Sequence, residues 1–209
     1  MGYAGGTSPA PTYRSLGDPT ETLRVEFDPQ VIAYEDLLAI FWESHDPAAR
    51  PYSRQYKAAV FYHNDGQKRL AEASRGRVAA TLGAPVRTEI LPAGPFTPAE
   101  DYHQKYYLRN AGELMEEFRA FYPDPRGFAR STAAARVNGY LGRHADADTV
   151  RRILPSLGLT PKGQAILLDK VFGKGFAASC GLPSAGKLGG LGAGNNSRLS
   201  GNGSATSDR

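Results

Sequence analysis

The sequence contains very little cysteine. Only one of its 209 residues, Cys180, carries a thiol. A single cysteine excludes an intramolecular disulfide framework and any zinc site built from several cysteines. Mean hydropathy is −0.42, and no apolar run approaches the roughly 18 residues that a membrane span needs. Any thiol chemistry performed by this chain alone must therefore use Cys180, and we expect no membrane partner.

Several other signatures of catalysis and binding are missing. None of the four histidines (His45, His63, His103 and His144) stands at metal-ligand spacing from another, so we expect no metal. The Gly-x-Ser-x-Gly pattern of serine hydrolases is absent. No glycine pair is followed by the Lys-Ser/Thr of a phosphate-binding loop. The sequence thus favours neither a metalloenzyme, nor a serine hydrolase, nor a nucleotide-binding protein.

The net charge of +4 is unevenly distributed. Residues 1–125 carry 13 Lys and Arg against 17 Asp and Glu, whereas residues 126–174 carry 9 against 3. Such a basic segment is one feature of nucleic-acid-binding proteins. Its arginines are dispersed, however, with few aromatic residues among them for base stacking. We interpret these arginines as solvated residues on helix faces and expect no nucleic-acid partner. The alternative is nucleic-acid binding that weakens steeply with salt.

Hydrophobic periodicity divides the chain into three parts. Alternating patterns predict strands at 22–27, 56–62 and 86–91, and helical spacing predicts helices at 34–43, 65–82 and 99–108. We therefore predict an α/β (α+β) sandwich over residues 1–110, with a mixed sheet and flanking helices. Helical patterns near 112–121, 131–142, 147–156 and 161–170 predict a helical extension over residues 111–172. Ten of the last 37 residues are glycine, so we predict a disordered tail over residues 173–209.

Three polar side chains near the predicted loops could form a site. Tyr3 lies in a glycine-rich segment, Glu21 lies beside the first predicted strand, and Tyr56 begins the second. If these strands are neighbours, one carboxyl group and two phenols converge. Such a set can bind an oxygen acceptor and deliver a proton to it. The alternative is that both tyrosines are half-buried loop residues and Glu21 is a surface charge.

Six short stretches occur in a fixed order in the first half of the chain. They are residues 2–6 (Gly-Tyr-Ala-Gly-Gly) with 11–13, Glu21 with 25–29, 34–38 with 41–47, 55–56, 91–96 (Leu-Pro-Ala-Gly-Pro-Phe) and 99–106 (Ala-Glu-Asp-Tyr-His-Gln-Lys-Tyr). Together they resemble the A-type peptide-methionine sulfoxide reductases over about residues 2–110. Residues 131–142 resemble an additional C-terminal segment of a longer branch of that family.

The resemblance implies a fold, a reaction and a set of site residues. The fold is a ferredoxin-like α/β sandwich. The reaction is reduction of methionine (S)-sulfoxide, in proteins and in free form, by a cysteine of a Gly-Cys-Phe-Trp motif. The sulfoxide oxygen is bound and protonated by a glutamate and two tyrosines, which correspond to Glu21, Tyr3 and Tyr56. The cysteine becomes a sulfenic acid and then a disulfide, which thioredoxin reduces, or dithiothreitol in its place.

The printed chain departs from this family pattern in its cysteines. It has no Gly-Cys-Phe-Trp motif, and it starts inside the Gly-Tyr-Ala-Gly-Gly segment that the motif precedes. We expect an N-terminally truncated core that lacks its first strand and helix. The truncation would arise because the sequence is a fragment, because its start is misplaced, or because a selenocysteine codon was read as a stop. A non-catalytic module that binds oxidised peptides is the alternative. Cys180-Gly181-Leu182 is faintly similar to the family's C-terminal Cys-Gly-Leu, so Cys180 is a candidate resolving thiol, an incidental thiol or, least favoured, a substitute nucleophile.

The remaining expectations concern partners and location. The resemblance implies oxidised proteins and peptides as substrates and thioredoxin as a partner, without a bound cofactor. We expect a monomer. We also expect the cytoplasm, or an organelle if a targeting peptide preceded the printed residues.

Overall fold

A computed structural model describes residues 1–182, with residue 54 described by its backbone alone. These residues belong to two compact units. The first comprises Met1–Gln104, and the second begins at Lys105. The sequence predicts a boundary near residue 110, six residues later than the one found.

The first unit contains all the described strands and two α-helices. The strands are Gly2–Ala4 (β1), Thr20–Thr22 (β2), Ala59–Tyr62 (β3), Glu89–Pro92 (β4) and Thr97–Pro98 (β5), and the helices are Tyr34–Glu43 (α1) and Asp65–Leu82 (α2). Short 3₁₀ helices occur at Arg54–Tyr56 and Asp101–His103. β1 is the central strand of an antiparallel sheet of order β2-β1-β5, while β3 and β4 pair in parallel. The α+β class predicted from the sequence is thus confirmed, with parallel and antiparallel pairing in two separate small sheets.

Helix α2 matches its predicted bounds because both of its ends carry local signals. The Asn64 side chain accepts a hydrogen bond from the Gln67 N–H at 2.9 Å and caps the first turn. Gly83 ends the helix in the left-handed conformation, at φ +61°. Helix α1 packs on α2 through the buried side chains of Leu38, Trp42 and Ala71.

The second unit is helical throughout its described part. Its helices are Tyr106–Arg109 (α3), Glu113–Phe121 (α4), Pro125–Arg130 (α5), Thr132–Leu141 (α6), Ala147–Ile153 (α7), Pro161–Phe172 (α8) and Phe176–Ser179 (α9). The longer of them match the predicted helical extension. Their apolar faces form one core that includes Leu114, Phe118, Val137, Leu167 and Leu168.

The predicted strand at 22–27 is wrong over most of its length. Strand β2 stops at Thr22, which pairs with Gly2 at the start of β1. Within residues 1–182 no strand pairs with the residues that follow Thr22, and Leu23 and Val25 are 66% and 51% exposed. An alternating pattern forms a strand only where a neighbouring strand supplies hydrogen bonds.

The predicted helix at 99–108 is interrupted in its middle. Gln104 is extended and Lys105 has φ +53°, so a 3₁₀ turn ends before this point and α3 begins after it. The Gln104 side chain donates to the carbonyls of Met1 and Ala99 and accepts from the Met1 amino group, at 2.9–3.0 Å. These bonds hold Gln104 against the first residues of the chain, which a continuous helix would not allow.

The disorder predicted from residue 173 onward is wrong for the first residues of that range. Helix α9 lies within it, and Ala177 is fully buried in the core of the second unit. Burial of this apolar side chain stabilises a segment that the glycine-rich composition predicts to be disordered. The rest of the predicted tail, residues 183–209, lies outside the described residues.

Candidate functional site

Tyr3 is the centre of the candidate site because of its place in the antiparallel sheet. It lies on the central strand β1, where it faces Glu21 of β2 and Thr97 of β5. Directly opposed residues of an antiparallel pair project to the same face of the sheet. Only 2% of Tyr3 is exposed. The register therefore puts the Tyr3 phenol and the Glu21 carboxyl group on one face.

The Tyr3 hydroxyl has a strong hydrogen-bond partner. It donates to Glu100 Oε2 at 2.7 Å. The other oxygen of Glu100 accepts from the backbone N–H of Tyr13 at 3.1 Å. Burial raises the pKa of Tyr3 far above its usual value, and the Glu100 carboxylate and the nearby Tyr102 and Glu21 raise it further. Tyr3 is therefore a protonated donor throughout the neutral range.

Glu21 faces Tyr3 across the strand pair and acts electrostatically on the second predicted tyrosine, Tyr56. Its Oε1 accepts a hydrogen bond from Gln55 Nε2 at 2.7 Å. Gln55 precedes Tyr56 in the 3₁₀ helix Arg54–Tyr56, which packs against β2. The negative charge of Glu21 raises the pKa of Tyr56, with burial and Tyr13 contributing further. The structure thus brings together the three residues predicted from the sequence, Tyr3, Glu21 and Tyr56.

These three side chains differ in how much solvent they meet. Tyr56 is 52% exposed, whereas Tyr3 is buried. Tyr3 also lines a cavity of about 440 Å³, whose walls include the hydroxyl-bearing Thr7 and Ser8 and four prolines (Pro9, Pro11, Pro19 and Pro95). Of the three predicted site residues, only Tyr3 lines this cavity.

Glu100 is a site residue that the sequence did not indicate, although it lies within the family-like stretch 99–106. Glu100 comes two residues after β5, and β5 pairs with β1. That pairing carries Glu100 to the Tyr3 hydroxyl. Nothing in the local pattern indicates it, because a strand of two residues leaves no periodic signal. Gln55 was also missed as the partner of Glu21.

Cys180 lies in the second unit. Its Sγ accepts a hydrogen bond from Arg151 Nε at 3.2 Å. The guanidinium of Arg151 lies 4.8 Å from the centre of the Phe176 ring. Tyr3, Glu21 and Tyr56 all belong to the first unit. A role for Cys180 as a resolving thiol stays a prediction.

The described part of the chain lacks two other features. Among residues 1–182, no group of three or more His, Cys, Asp or Glu side chains is arranged to hold a metal ion. No helix in the same range combines the length and apolar character needed to cross a membrane.

The family of the chain follows from comparison with known sequences. The sequence profile described as peptide methionine sulfoxide reductase matches residues 1–124. The chain belongs to the peptide methionine sulfoxide reductase family. The residues that form the candidate site all lie within the matched range.

Relatives of this reductase-family chain come from distant organisms. A peptide methionine sulfoxide reductase of Drosophila melanogaster is 37% identical over 166 residues, which cover 77% of this chain and 65% of that protein. Peptide methionine sulfoxide reductase A5 of Oryza sativa subsp. japonica is 35% identical over 176 residues, covering 81% and 68%. The chain thus spans about two thirds of the length of these curated relatives.

Among solved structures, the reduced form of Mxr1 from Saccharomyces cerevisiae is similar to this family member. The two are 31% identical, with a TM-score of 0.48. The match covers 53% of this chain and 70% of that one.

Proposed function

We propose that this protein is a peptide-methionine (S)-S-oxide reductase whose Tyr3, Glu21 and Tyr56 bind the sulfoxide oxygen. The observation that carries the proposal is the grouping of one carboxyl group with two phenols on residues that belong to three different segments. The family of the chain supplies the reaction. The substrates would be oxidised proteins, oxidised peptides and free methionine sulfoxide, and thioredoxin would be the reductant.

The chemistry of a sulfoxide suits this set of donors. Its oxygen carries most of the negative charge of the S–O bond and accepts hydrogen bonds. Raised pKa values keep both phenols protonated at neutral pH, so each carries one O–H. The O–H of Tyr3 donates to Glu100 in the ligand-free structure and would have to turn to the sulfoxide oxygen. Donors aimed at this oxygen draw electron density from sulfur and favour attack on it.

The covalent step requires a thiolate at the sulfur atom. The sulfur–oxygen bond breaks, the thioether is released, and the oxygen remains on the enzyme as a sulfenic acid. A second thiol then forms a disulfide with loss of water, and thioredoxin reduces that disulfide. The printed chain has Cys180 as its one thiol and contains no Gly-Cys-Phe-Trp motif. We therefore propose that these 209 residues bind the sulfoxide with negligible turnover, which makes a non-catalytic binding module the second candidate.

Calorimetry with a neutral probe tests the oxygen site directly. N-acetyl-methioninamide (S)-sulfoxide is titrated into the full chain, with the (R)-sulfoxide and the thioether as comparison ligands. We expect at least tenfold tighter binding of the (S)-sulfoxide than of the thioether. Equal affinity for these two ligands would overturn the proposal.

Variants assign the binding to the named phenols. Each phenol contributes about one net hydrogen bond, so Tyr56→Phe should weaken sulfoxide binding about two- to tenfold. Thioether affinity should be unchanged in the same variant. Tyr52→Phe, which removes the hydroxyl of a 96% exposed tyrosine, serves as the matched control.

Turnover is measured with dithiothreitol and with thioredoxin. Negligible release of the thioether is expected from both the wild-type chain and Cys180→Ser. Robust turnover that Cys180→Ser abolishes would instead make Cys180 the nucleophile. Robust turnover that survives this change would remove the thiol mechanism.

A further inference from the structure

Strand β2 is followed by five residues that have the side-chain pattern of a strand but no neighbouring strand. This segment 23–27 consists of Leu23, Arg24, Val25, Glu26 and Phe27. Within residues 1–182 no strand pairs with it. All of its residues except Phe27 are exposed. A strand-like stretch that continues the edge of a sheet can pair with a strand of another chain.

The charges of segment 23–27 lie on the face opposite to its apolar side chains. Successive side chains of an extended chain alternate between two faces, so Arg24 and Glu26 share one face and the three apolar side chains share the other. Arg24 Nη2 lies 3.5 Å from Glu26 Oε1, which agrees with a shared face. The guanidinium of Arg24 also lies 4.6 Å from the centre of the Phe96 ring. These contacts hold the positive charge in place on its face.

The order of the side chains makes segment 23–27 complementary to itself. When two copies run antiparallel about a two-fold axis through Val25, Arg24 of each copy faces Glu26 of the other. On the apolar face, Val25 meets Val25 and Leu23 meets Phe27. Opposite charges and apolar side chains that face each other directly stabilise a strand pair. Each charge then has an opposite charge beside it on its own strand and another across the pair.

The same charges select one orientation and one register of the two copies. A parallel pair in register would put Arg24 opposite Arg24 and Glu26 opposite Glu26. An antiparallel pair that is shifted by two residues makes one of these two like-charge contacts. A shift by one residue sets a charge opposite an apolar side chain. Like charges that face each other directly destabilise a strand pair, so the antiparallel pair centred on Val25 is favoured.

We infer that segment 23–27 binds the same segment of a second copy of this chain, as an antiparallel strand pair centred on Val25. The contact joins identical surfaces about a two-fold axis, so it closes with two copies. Five residues from each copy form a small interface, which is typical of weak and transient complexes. The protein is then a weak dimer, in contrast to the monomer expected from its sequence. This contact does not depend on sulfoxide binding.

Sedimentation velocity of the full chain over a range of concentrations measures the association. Dithiothreitol is present, so that Cys180 cannot form a disulfide between copies. We expect a monomer–dimer equilibrium. Arg24→Glu replaces the two ion pairs of the dimer with two acidic like-charge contacts, and should raise the Kd of the dimer at least about tenfold. Glu26→Arg should do the same with basic charges, and a wild-type monomer at every concentration would overturn the inference.

A mixture of the two single variants is the sharper test. In a pair made of one Arg24→Glu chain and one Glu26→Arg chain, both acidic positions of the first face basic positions of the second. We expect this mixture to form heterodimers at concentrations at which each variant alone is monomeric. Circular dichroism and tryptophan emission check that both variants are folded. Folded variants that do not associate when mixed would overturn the inference.

Two further chains control for effects outside the strand pair. The double variant Arg24→Glu/Glu26→Arg exchanges the two charges and keeps their complementarity, so it should dimerise about as well as wild type. It loses the contact with Phe96 just as Arg24→Glu does, and comparing these two variants therefore isolates the charge pairing. Glu72→Arg reverses an exposed charge on α2 and should leave the Kd of the dimer unchanged. Dimers that persist in both single variants, or an equal loss in Glu72→Arg, would assign the association to another surface and overturn the inference.

Discussion

The indole N–H of Trp42 donates a hydrogen bond to the hydroxyl of Ser74 at 2.9 Å, and both side chains are buried. This bond joins α1 to α2. The Ser74 hydroxyl in turn donates to the carbonyl of Ala71 at 2.8 Å. Each O–H and N–H in this chain of two bonds therefore has an acceptor in a place that water does not reach.

Ser74→Ala should leave the Trp42 N–H buried without an acceptor. Such a loss costs about 1–3 kcal/mol of unfolding free energy. Urea unfolding measures this cost, and the chain's single tryptophan makes its emission a local reporter. Ser44→Ala removes an exposed hydroxyl near the end of α1 and should change stability by less than about 0.5 kcal/mol. Equal stability of the two variants would contradict the prediction.

Two helical glycines of the second unit should respond in opposite directions to alanine. A Cβ on Gly163, in α8, would lie 2.5 Å from both carboxylate oxygens of Glu117. Those oxygens accept from the Thr160 N–H and hydroxyl at 3.0 and 2.6 Å, so Glu117 cannot move without losing these bonds. Gly163→Ala is therefore expected to destabilise the protein.

Gly139 provides the matched control for this change. It lies inside α6, and nothing is within 4 Å of the Cβ that alanine would add. Gly139→Ala should raise the unfolding free energy by about 0.5–1 kcal/mol, through helix propensity alone. Thermal unfolding of both variants decides the matter, and a higher Tm for Gly163→Ala than for wild type would be the contrary outcome.

Asp18 should make the protein sensitive to acid. Its carboxylate accepts from the Thr7 N–H, the Thr7 hydroxyl and the Ser8 N–H at 2.8–3.0 Å. The two Thr7 donors lower its pKa below the ordinary 3.8. A carboxyl group with a lowered pKa stabilises the fold at pH values above its unfolded-state pKa. This contribution disappears as the pH falls through its lower, folded-state pKa.

Asp18→Asn tests this pH window. Wild type should exceed Asp18→Asn in urea midpoint by a constant amount from pH 8 to 5. The difference should shrink below about pH 4. Glu72→Gln, which changes an exposed carboxyl group on α2, should show no comparable window. A difference between wild type and Asp18→Asn that is independent of pH would be inconsistent with the bonds described.

Tyr3 should make the protein sensitive to alkali. Its burial and its bond to Glu100 raise its pKa well above the ordinary 10.0. A group with a raised pKa contributes its full stability at pH values below its unfolded-state pKa. This contribution is lost as the pH rises from there toward its folded-state pKa. Ultraviolet titration should show one tyrosine of wild type ionising only as the protein unfolds. The tyrosine that ionises only on unfolding should be missing from Tyr3→Phe. Ionisation of every tyrosine of wild type before the protein unfolds would contradict the buried environment of Tyr3.

The sequence predicted best those features that local signals determine. Helix α2 has a capping Asn64 and a terminating Gly83 within its own stretch, and its bounds were predicted correctly. The helices of the extension were also predicted, because their apolar faces repeat with helical spacing. The class of the fold therefore follows from the periodicity of the sequence, whereas the family was indicated by the resemblance of six short stretches.

Features that depend on long-range pairing were less accessible. The alternation in 22–27 resembles a strand, but β1 begins opposite Thr22 and offers no partner beyond it. The break at Gln104 follows from bonds to Met1, about a hundred residues away in sequence. Glu100 reaches Tyr3 through a strand of only two residues. The three predicted site residues lie together in the structure, while their role in sulfoxide binding stays a prediction.

The contact between Cys180 and Arg151 gives this protein a built-in attachment point. Because the chain has one sulfhydryl group, a thiol-reactive fluorophore or spin label attaches at one known atom without any prior mutagenesis. That atom lies 3.2 Å from the guanidinium of α7, just after the end of α9. A label at this atom therefore reports on the surroundings of α7 and of the end of α9.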